Sequence, residues 1–404
     1  MRLFKFARPF SQSQSRLGRL AIVGFCLAVF ACCIAQAQES KSPLFTLHAA
    51  DGNFLDGSLA RIKQDWSVSL DGDKGKTVPG AELISLRRQK SALPPGPADE
   101  HLVLANGDRI PGKLLDMTGD GARLQAALGA EQEVRVPSGS VLVWWLAVPD
   151  GVSDGSLFRH RLMVERRRRD VALLRNGDRV EGTLLGIDSE ALRLKTGTGK
   201  EVTLGRDRIA ALARNTVLAR TPRPRTAYGR VILANGCRLS LTSAYTSNGL
   251  LLGKSVFGAE LKIPIAHLVA LSVHQGPAVY LSDLKPLRYE HTPYLGLAWP
   301  YAVDTSVAGR ELSVGGSVYD RGIGMHSESR LTYDLGGAYH SFEALVGLDD
   351  QTGREGSAMI DVLVDGKAQK LGEPKELTMQ RGPRLVRVSV AGARELTLVV
   401  KFGR

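Results

Sequence analysis

Along most of this chain apolar and polar residues alternate in short runs separated by turn residues. Val180, Thr183-Leu184 and Leu192-Arg193-Leu194 show it in one stretch; Arg330 to Leu335, Ser341 to Val346, Ser357 to Val364, Leu385 to Val390 and Glu395 to Val400 show it in another. A period of two residues buries one face of a strand and leaves the other wet. No amphipathic helix of any length fits the N-terminal stretch. The pattern therefore predicts an all-β protein.

The strand pattern repeats. Asn106-Gly107-Asp108-Arg109 leads into Ile110-Pro111-Gly112-Lys113-Leu114-Leu115, and Asn176-Gly177-Asp178-Arg179 leads into Val180-Glu181-Gly182-Thr183-Leu184-Leu185. A looser copy begins at Asn235-Gly236-Cys237-Arg238-Leu239, and the most divergent at Asp51-Gly52-Asn53-Phe54-Leu55-Asp56-Gly57. Fixed-period self-similarity of this kind marks repeated units. Asn-Gly and Asp-Gly accept positive φ and so make tight hairpin turns. Each unit has room for four or five short strands, and a set so small is best buried as a closed barrel without free edges. The expected arrangement is four small β-barrel-like repeats at 43–90, 100–148, 168–215 and 226–275, or one stacked array of them, followed by a β-sandwich at 278–404.

Linkers fall at the joints of this division: Pro94-Pro95-Gly96-Pro97, Pro149 to Ser156, Thr221-Pro222-Arg223-Pro224-Arg225, and a break near Gly276-Pro277. Proline-rich segments act as stiff spacers. The turn followed by a bent strand resembles the first motif of Sm-like and SH3-like barrels, over short segments only.

The N-terminus carries Arg2, Lys5, Arg8, Arg16 and Arg19 with no acid before Glu39, then an apolar run from Leu20 to Ile34 and Ala35-Gln36-Ala37. Basic, apolar and small residues in that order form a secretory signal, so residues 1–37 are expected to be removed after Ala37, leaving a secreted or periplasmic protein. The apolar run is shorter than the roughly 20 residues of a spanning helix, which disfavours an uncleaved anchor. A lipoprotein cleaved before Cys32 is a further alternative, against which the bulky Phe30 stands. Removal of the signal leaves Cys237 as the single cysteine. It excludes an internal disulfide and a cysteine zinc site.

Composition is that of an ordinary globular chain: 404 residues, 43% hydrophobic, net charge +12. Residues 279–404 hold 15 basic and 16 acidic residues, so the basic surplus lies on the repeats and the signal. A basic array suits a protein partner or an acidic polymer. Nucleic acid is a remote option, because an exported chain meets little intracellular RNA.

From Tyr280 onward the residues carry a resemblance. Tyr280-Leu281-Ser282-Asp283-Leu284, Trp299, Leu312-Ser313-Val314-Gly315-Gly316, Tyr319-Asp320-Arg321-Gly322-Ile323-Gly324-Met325-His326-Ser327, Tyr333-Asp334-Leu335, Gly347-Leu348-Asp349-Asp350, Val364-Asp365-Gly366-Lys367 and Gly392-Ala393-Arg394-Glu395-Leu396 follow one another in the order of the NPCBM family. That family comprises carbohydrate-binding modules often attached to glycoside hydrolases. The resemblance implies a galactose-binding-like jelly-roll sandwich and sugar binding. Relatives continue beyond the strand at Leu396 to Lys401, whereas this chain stops at Phe402-Gly403-Arg404, so the sandwich is expected to lack a final strand.

A pyranose presents an apolar C–H face and hydroxyls that both donate and accept, so its site needs an aromatic platform and several polar groups. Trp299, Tyr319, Tyr294 and Tyr301 are candidate platforms, with core burial the alternative for Trp299 and Tyr319. Arg321, His326, Asp349 and Asp350 are candidate polar partners, together with Asp320 and Glu328. Asp349-Asp350 is also a candidate for structural calcium, with hard oxygen ligands but no wider loop of donors. Otherwise no cofactor is implied.

Arg166-Arg167-Arg168-Arg169 is the densest charge run, readable as an anion anchor or as a solvated face. No His-Glu-x-x-His, Gly-x-Ser-x-Gly or phosphate loop is present. Asp108 and Asp178 read as turn residues, replaced by Asn53 and Cys237 in the sister units. The sequence thus points to an exported, non-enzymatic protein that docks on cell-envelope or environmental glycans. The competing reading is an interaction scaffold that binds proteins through its sandwich and repeats, and a remoter one an unrecognised glycoside hydrolase.

Overall fold

Each of the four Asn-Gly or Asp-Gly turns joins a short first strand to a long second one. The first unit consists of β1 (Leu44–Ala49), β2 (Phe54–Ile62), β3 (Val68–Asp71), β4 (Lys76–Val78) and β5 (Leu83–Arg88). The second has β6 (His101–Leu104), β7 (Arg109–Met117), β8 (Gly121–Ala127), β9 (Glu131–Pro137) and β10 (Val141–Trp145). The third has β11 (Asp170–Leu174), β12 (Arg179–Ile187), β13 (Ala191–Lys195), β14 (Glu201–Gly205) and β15 (Ile209–Ala213). The fourth has β16 (Tyr228–Leu233), β17 (Arg238–Ser247), β18 (Leu250–Ser255), β19 (Glu260–Pro264) and β20 (Leu268–His274). These come from a computed structural model that describes residues 43–71, 75–221, 224–293 and 296–403. The signal segment 1–37 and Tyr294 lie outside the described residues.

All four units pair their strands alike: fifth with first, first with second, second with third, third with fourth. The turn glycines Gly52, Gly107, Gly177 and Gly236 have φ of 83°, 84°, 90° and 80°, a region open to glycine at no steric cost. In each turn the preceding Asp or Asn oxygen accepts the N–H two residues on, from Asn53, Asp108, Asp178 or Cys237. Every second strand slips register at the same place, at Leu59/Arg61, Leu114/Asp116, Leu184/Gly186 and Leu241/Ser243. Such a bulge bends a strand and increases its twist, which curls five strands around a small core.

The units then pair with one another through their fifth strands. β10 meets β15 with Trp144 opposite Leu212, and β5 meets β20 with Leu86 opposite Leu271. Within their own units these four residues hold the same place, opposite Leu102, Ala172, Leu47 and Val231. Equivalent residues facing one another give each pair a local twofold relationship. Units 2 and 3 form one pair, and units 1 and 4 the other. The two pairs meet where unit 2 touches unit 4: Gln132 and Lys262 exchange side-chain and backbone bonds, and Arg109 faces Arg238. Buried apolar residues of all four units, from Phe45 to Val273, form one continuous core. A stacked array thus describes the repeats better than four separate barrels do.

The segment read as a linker at Pro149 to Ser156 continues into a helix, α1 (Gly155–Val164). Asp154 caps it by accepting the Leu157 N–H, and Phe158 and Leu162 pack on Trp145, Val171 and Leu173. Tertiary packing on one flank of the array, rather than a broad apolar stripe, sustains this helix, so periodicity did not reveal it. Within the arginine run Arg167 is buried, its Nε donating to the Arg214 carbonyl and its backbone N–H to Thr216. A wholly solvated face is thereby corrected for this residue.

The C-terminal part is a β-sandwich built from β21 (Arg288–His291), β22 (Ala302–Val303), β23 (Leu312–Val314), β24 (Ser317–Tyr319), β25 (Ile323–Gly324), β26 (Ser329–Asp334), β27 (Ser341–Val346), β28 (Ser357–Val364), β29 (Lys367–Ala368), β30 (Glu376–Thr378), β31 (Arg384–Ser389) and β32 (Glu395–Phe402). β21, β26, β32 and β28 run side by side in a six-stranded sheet that β29 and β30 complete, and β27 pairs with β31. Leu331, Tyr333, Val362 and Leu396 from the large sheet pack against Val386 and Val388 of β31. The last strand, β32, is central, paired with β26 on one side and β28 on the other. The all-β class, with barrel-like repeats followed by a sandwich, is what the alternation predicted.

Candidate functional site

The fourth turn position of three repeats faces the sandwich. Arg109 of unit 2 bonds Glu311, Arg238 of unit 4 bonds Asp320 at 2.5 Å, and Phe54 of unit 1 stacks on His48, which meets Glu343 at 3.0 Å. Arg230 adds a bond to Asp320 at 3.0 Å and one to Asp108 at 3.1 Å. Burial opposes ionisation of Asp320, but Arg230 and Arg238 outweigh it and hold the carboxyl well below its ordinary range. Asp108 is fully buried, also accepts from the Ser240 N–H and hydroxyl, and is pushed up by that burial. These groups lock the sandwich to the array. They make Asp108 a structural ion-pair residue rather than a turn residue alone.

The opposite outcome holds at the outer edge of the large sheet. β21 is the edge strand, and its register places His291 opposite Ser329 of β26. The chain leaving β21 returns past Trp299, whose backbone N–H donates to His291 Nδ1 at 3.0 Å and whose carbonyl accepts from the Tyr289 hydroxyl at 2.7 Å. Both main-chain polar groups of Trp299 are thus fixed, while its side chain is 52% exposed. The His326 ring stands edge-on to the indole, with centroids 4.9 Å apart, and His291 lies 5.9 Å from His326. Tyr301 closes the row edge-on to Tyr289 at 5.1 Å.

His326 Nε2 is buried without a hydrogen-bond partner. An orphan buried polar atom is costly, and a shift of the exposed indole that uncovers it would let an added hydroxyl gain a bond there. Burial, with His291 nearby, lowers the His326 pKa, so the ring is held neutral and can accept as well as donate. Glu328 is in the left-handed region, φ 55°, and accepts the Phe402 N–H.

The remaining candidates lie elsewhere. Tyr319 packs on Leu93, Ile232 and Val269 of the repeats, under Arg87. Arg321 is clamped by Asp283 at 2.9 Å and Asp304 at 2.8 Å. Asp350 accepts from the Ser313 hydroxyl and the N–H groups of Gly315 and Gly316, and Asp349 from the Gln351 N–H. The Asp350 oxygens are thus committed to holding a loop. Among the described residues no group of three His, Cys, Asp or Glu side chains is arranged to hold a metal. Trp299 and His326 therefore come together, whereas Tyr319, Arg321, Asp349 and Asp350 do not join them. His291 and Tyr289 escaped the sequence reading, although their spacing of two on an edge strand was a usable signal.

Comparison with known proteins bears directly on this part of the chain. Residues 277–404 match the NPCBM/NEW2 domain. The NPCBM resemblance of the C-terminal third is therefore borne out. A curated relative from Renibacterium salmoninarum, named "Putative endo-alpha-N-acetylgalactosaminidase", is 37% identical over 60 residues, 15% of this chain. That stretch spans 4% of the relative's length. A solved CBM51 module of a Clostridium perfringens GH95 protein in complex with methyl-galactose is 29% identical, with a TM-score of 0.27, and covers 31% of this chain and 87% of its own. CBM51-2 with the INT domains of Clostridium perfringens ZmpB, in complex with GlcNAc, is 20% identical with a TM-score of 0.28, covering 40% of this chain and 33% of its own. The tandem CBM51 modules of a family 98 glycoside hydrolase from Streptococcus pneumoniae are 13% identical, with a TM-score of 0.28, over 76% of this chain and 83% of theirs.

Proposed function

We propose that this is an exported, non-catalytic protein whose NPCBM domain docks on glycans of the cell envelope or of environmental polysaccharide. The carrying observation is the rigidly held, half-exposed indole of Trp299 beside the unpartnered Nε2 of His326. An indole offers a flat apolar surface to a pyranose C–H face, and a neutral imidazole offers a hydroxyl partner. The buried lock at Asp320 supports a role for the repeats as a fixed platform that presents this edge.

The test is binding of the full chain to a broad panel of neutral glycans, beside Trp299→Ala and His326→Ala variants. Binding that both variants lose while keeping their melting temperature supports the proposal, and silence of the folded wild type across the panel contradicts it.

The scaffold reading has one observation in its favour. Much of the domain's polar surface, including Asp320, Glu311, Ser317 and Glu343, already serves protein contacts with the repeats. A domain that has turned these groups to protein docking could serve further protein partners in the same way.

A further inference from the structure

Between the first repeat and the sandwich lies an open groove of about 670 Å³, within the size range of saccharide and small-molecule sites. It draws its lining from β1, the start of β2, β5, the segment after β5, and the start of β24 with the loop before it, and it shares no residue with the Trp299 edge. Arg87, Arg88, Lys90 and His48 line it, and among the described residues no acidic side chain does, although Glu343 and Asp56 bond the lining residues His48 and Thr46 from outside. Arg87 is held by uncharged oxygens, the Ser317 and Tyr319 hydroxyls, whereas Arg88 turns to the other face of β5, over Phe45, and donates to the carbonyls of Ile265, Ala266 and Leu268. Such bonds orient an arginine without neutralising it. Lys90 is exposed at the groove mouth. His48 meets Glu343, which is itself matched by Arg387 at 2.6 Å.

We propose that this groove binds a carboxylate-bearing saccharide of the uronate type. The carboxylate would sit between Arg87 and Lys90, where the cationic attraction within the groove is strongest. Phe54 is 50% exposed; His48 stacks on it at 4.4 Å and the Arg387 guanidinium lies over it at 5.8 Å, so its exposed edge is the apolar contact left for the sugar. Thr46, Ser85, Gln89 and Ser91 supply groups that match ring hydroxyls. An acidic peptide would use the cations and leave the aromatic and hydroxyl lining without purpose. The groove stands independently of the neutral-glycan reading at Trp299.

The experiment is calorimetric titration of the full chain with trigalacturonate, with neutral galactotriose and with an oligoglutamate peptide of equal charge. Trigalacturonate is expected to bind, and to lose at least about tenfold in affinity in Lys90→Glu and when the salt concentration rises about tenfold. Phe54→Ala is expected to weaken it as well, and Trp299→Ala to leave it unchanged. Lys90 is exposed, so Lys90→Glu is expected to keep the wild-type melting temperature, whereas Phe54→Ala loses its stack on His48 and is compared at a temperature where its circular dichroism shows it folded. Absence of trigalacturonate binding to the folded chain overturns the proposal, as does equal binding of oligoglutamate. Binding that survives Lys90→Glu but is lost in Trp299→Ala also overturns it, and would move the anionic sugar to the other edge without harming the glycan reading there.

Discussion

Arg230 and Asp320 meet at 3.0 Å across the boundary between the fourth repeat and the sandwich, and the same carboxylate holds Arg238 at 2.5 Å. Arg238 is fully buried and Arg230 nearly so. Removing one partner of a buried pair strands the others without solvation, at a cost of about 3–5 kcal/mol. Asp320→Ala is therefore expected to lower the chemical unfolding midpoint sharply and to admit protease near the joint at Gly276. Arg387→Ala, whose side chain is 44% exposed, is expected to cost well under half as much. Equal losses in the two variants would remove Asp320 from its place as the lock.

The repeat geometry makes a sharper demand at one glycine. A Cβ on Gly182 would lie 2.7 Å from the Lys195 carbonyl oxygen of the adjacent strand, and one on Gly112 would lie 2.2 Å from that of Gln125. Backbone cannot yield as a flexible side chain can, so Gly182→Ala is expected to destabilise by about 1–3 kcal/mol. Gly119→Ala, where nothing lies within 4 Å, is expected to stay within about 0.5 kcal/mol. Denaturant unfolding of the two variants compares them directly.

Stability should also fall with acid through a buried histidine. His274 is stacked between Tyr228 and Tyr280, at 5.1 and 5.2 Å, and burial lowers its pKa to about 3. Between the ordinary value of 6.5 and 3 the unfolded chain binds a proton that the folded chain refuses, so stability declines as pH falls through that window. The decline is at most about 1.4 kcal/mol per pH unit for each such group. His101, lowered by burial to about 4, adds to it down to that pH. His274→Phe keeps the ring stack and removes the titration. Melting temperatures from pH 7 to 4 should therefore fall less steeply in that variant, and an unchanged slope would assign the acid sensitivity elsewhere.

Much of this architecture was legible because turn chemistry and strand period are local. Gly107 and Gly177 needed only an Asn-Gly pair to be placed at positive φ, and the second strands followed from their alternation, though not the bulges that interrupt it. Asp108 and Asp178 show where locality ends. They stand in identical Asn-Gly-Asp-Arg turns, yet Asp178 is exposed while Asp108 is sealed against Arg230 and Ser240 of unit 4. Only the pairing of units, which sequence alone does not order, decides between them. Tyr319 and Arg321 were drawn into the candidate site by adjacency to His326 in the chain, but β24 turns its face to the repeats and Arg321 faces two aspartates. Trp299 shows the converse, since no periodic pattern surrounds it and its exposure depends on the two bonds that fix its backbone.

The exposure of Trp299 also separates function from folding. Its truncation removes little buried surface, so Trp299→Ala is expected to change stability by less than about 1 kcal/mol. Trp299→Phe, which keeps a smaller flat ring, is expected to retain part of any glycan affinity.

The most direct measurement of the central claim is the dissociation constant of the full chain for the first neutral glycan that a panel returns, compared with those of Trp299→Ala and Trp299→Phe. An aromatic platform contributes about 2 kcal/mol, so the alanine variant should bind roughly thirtyfold more weakly and the phenylalanine variant should lie between it and the wild type. Identical affinities in all three folded proteins would contradict the account.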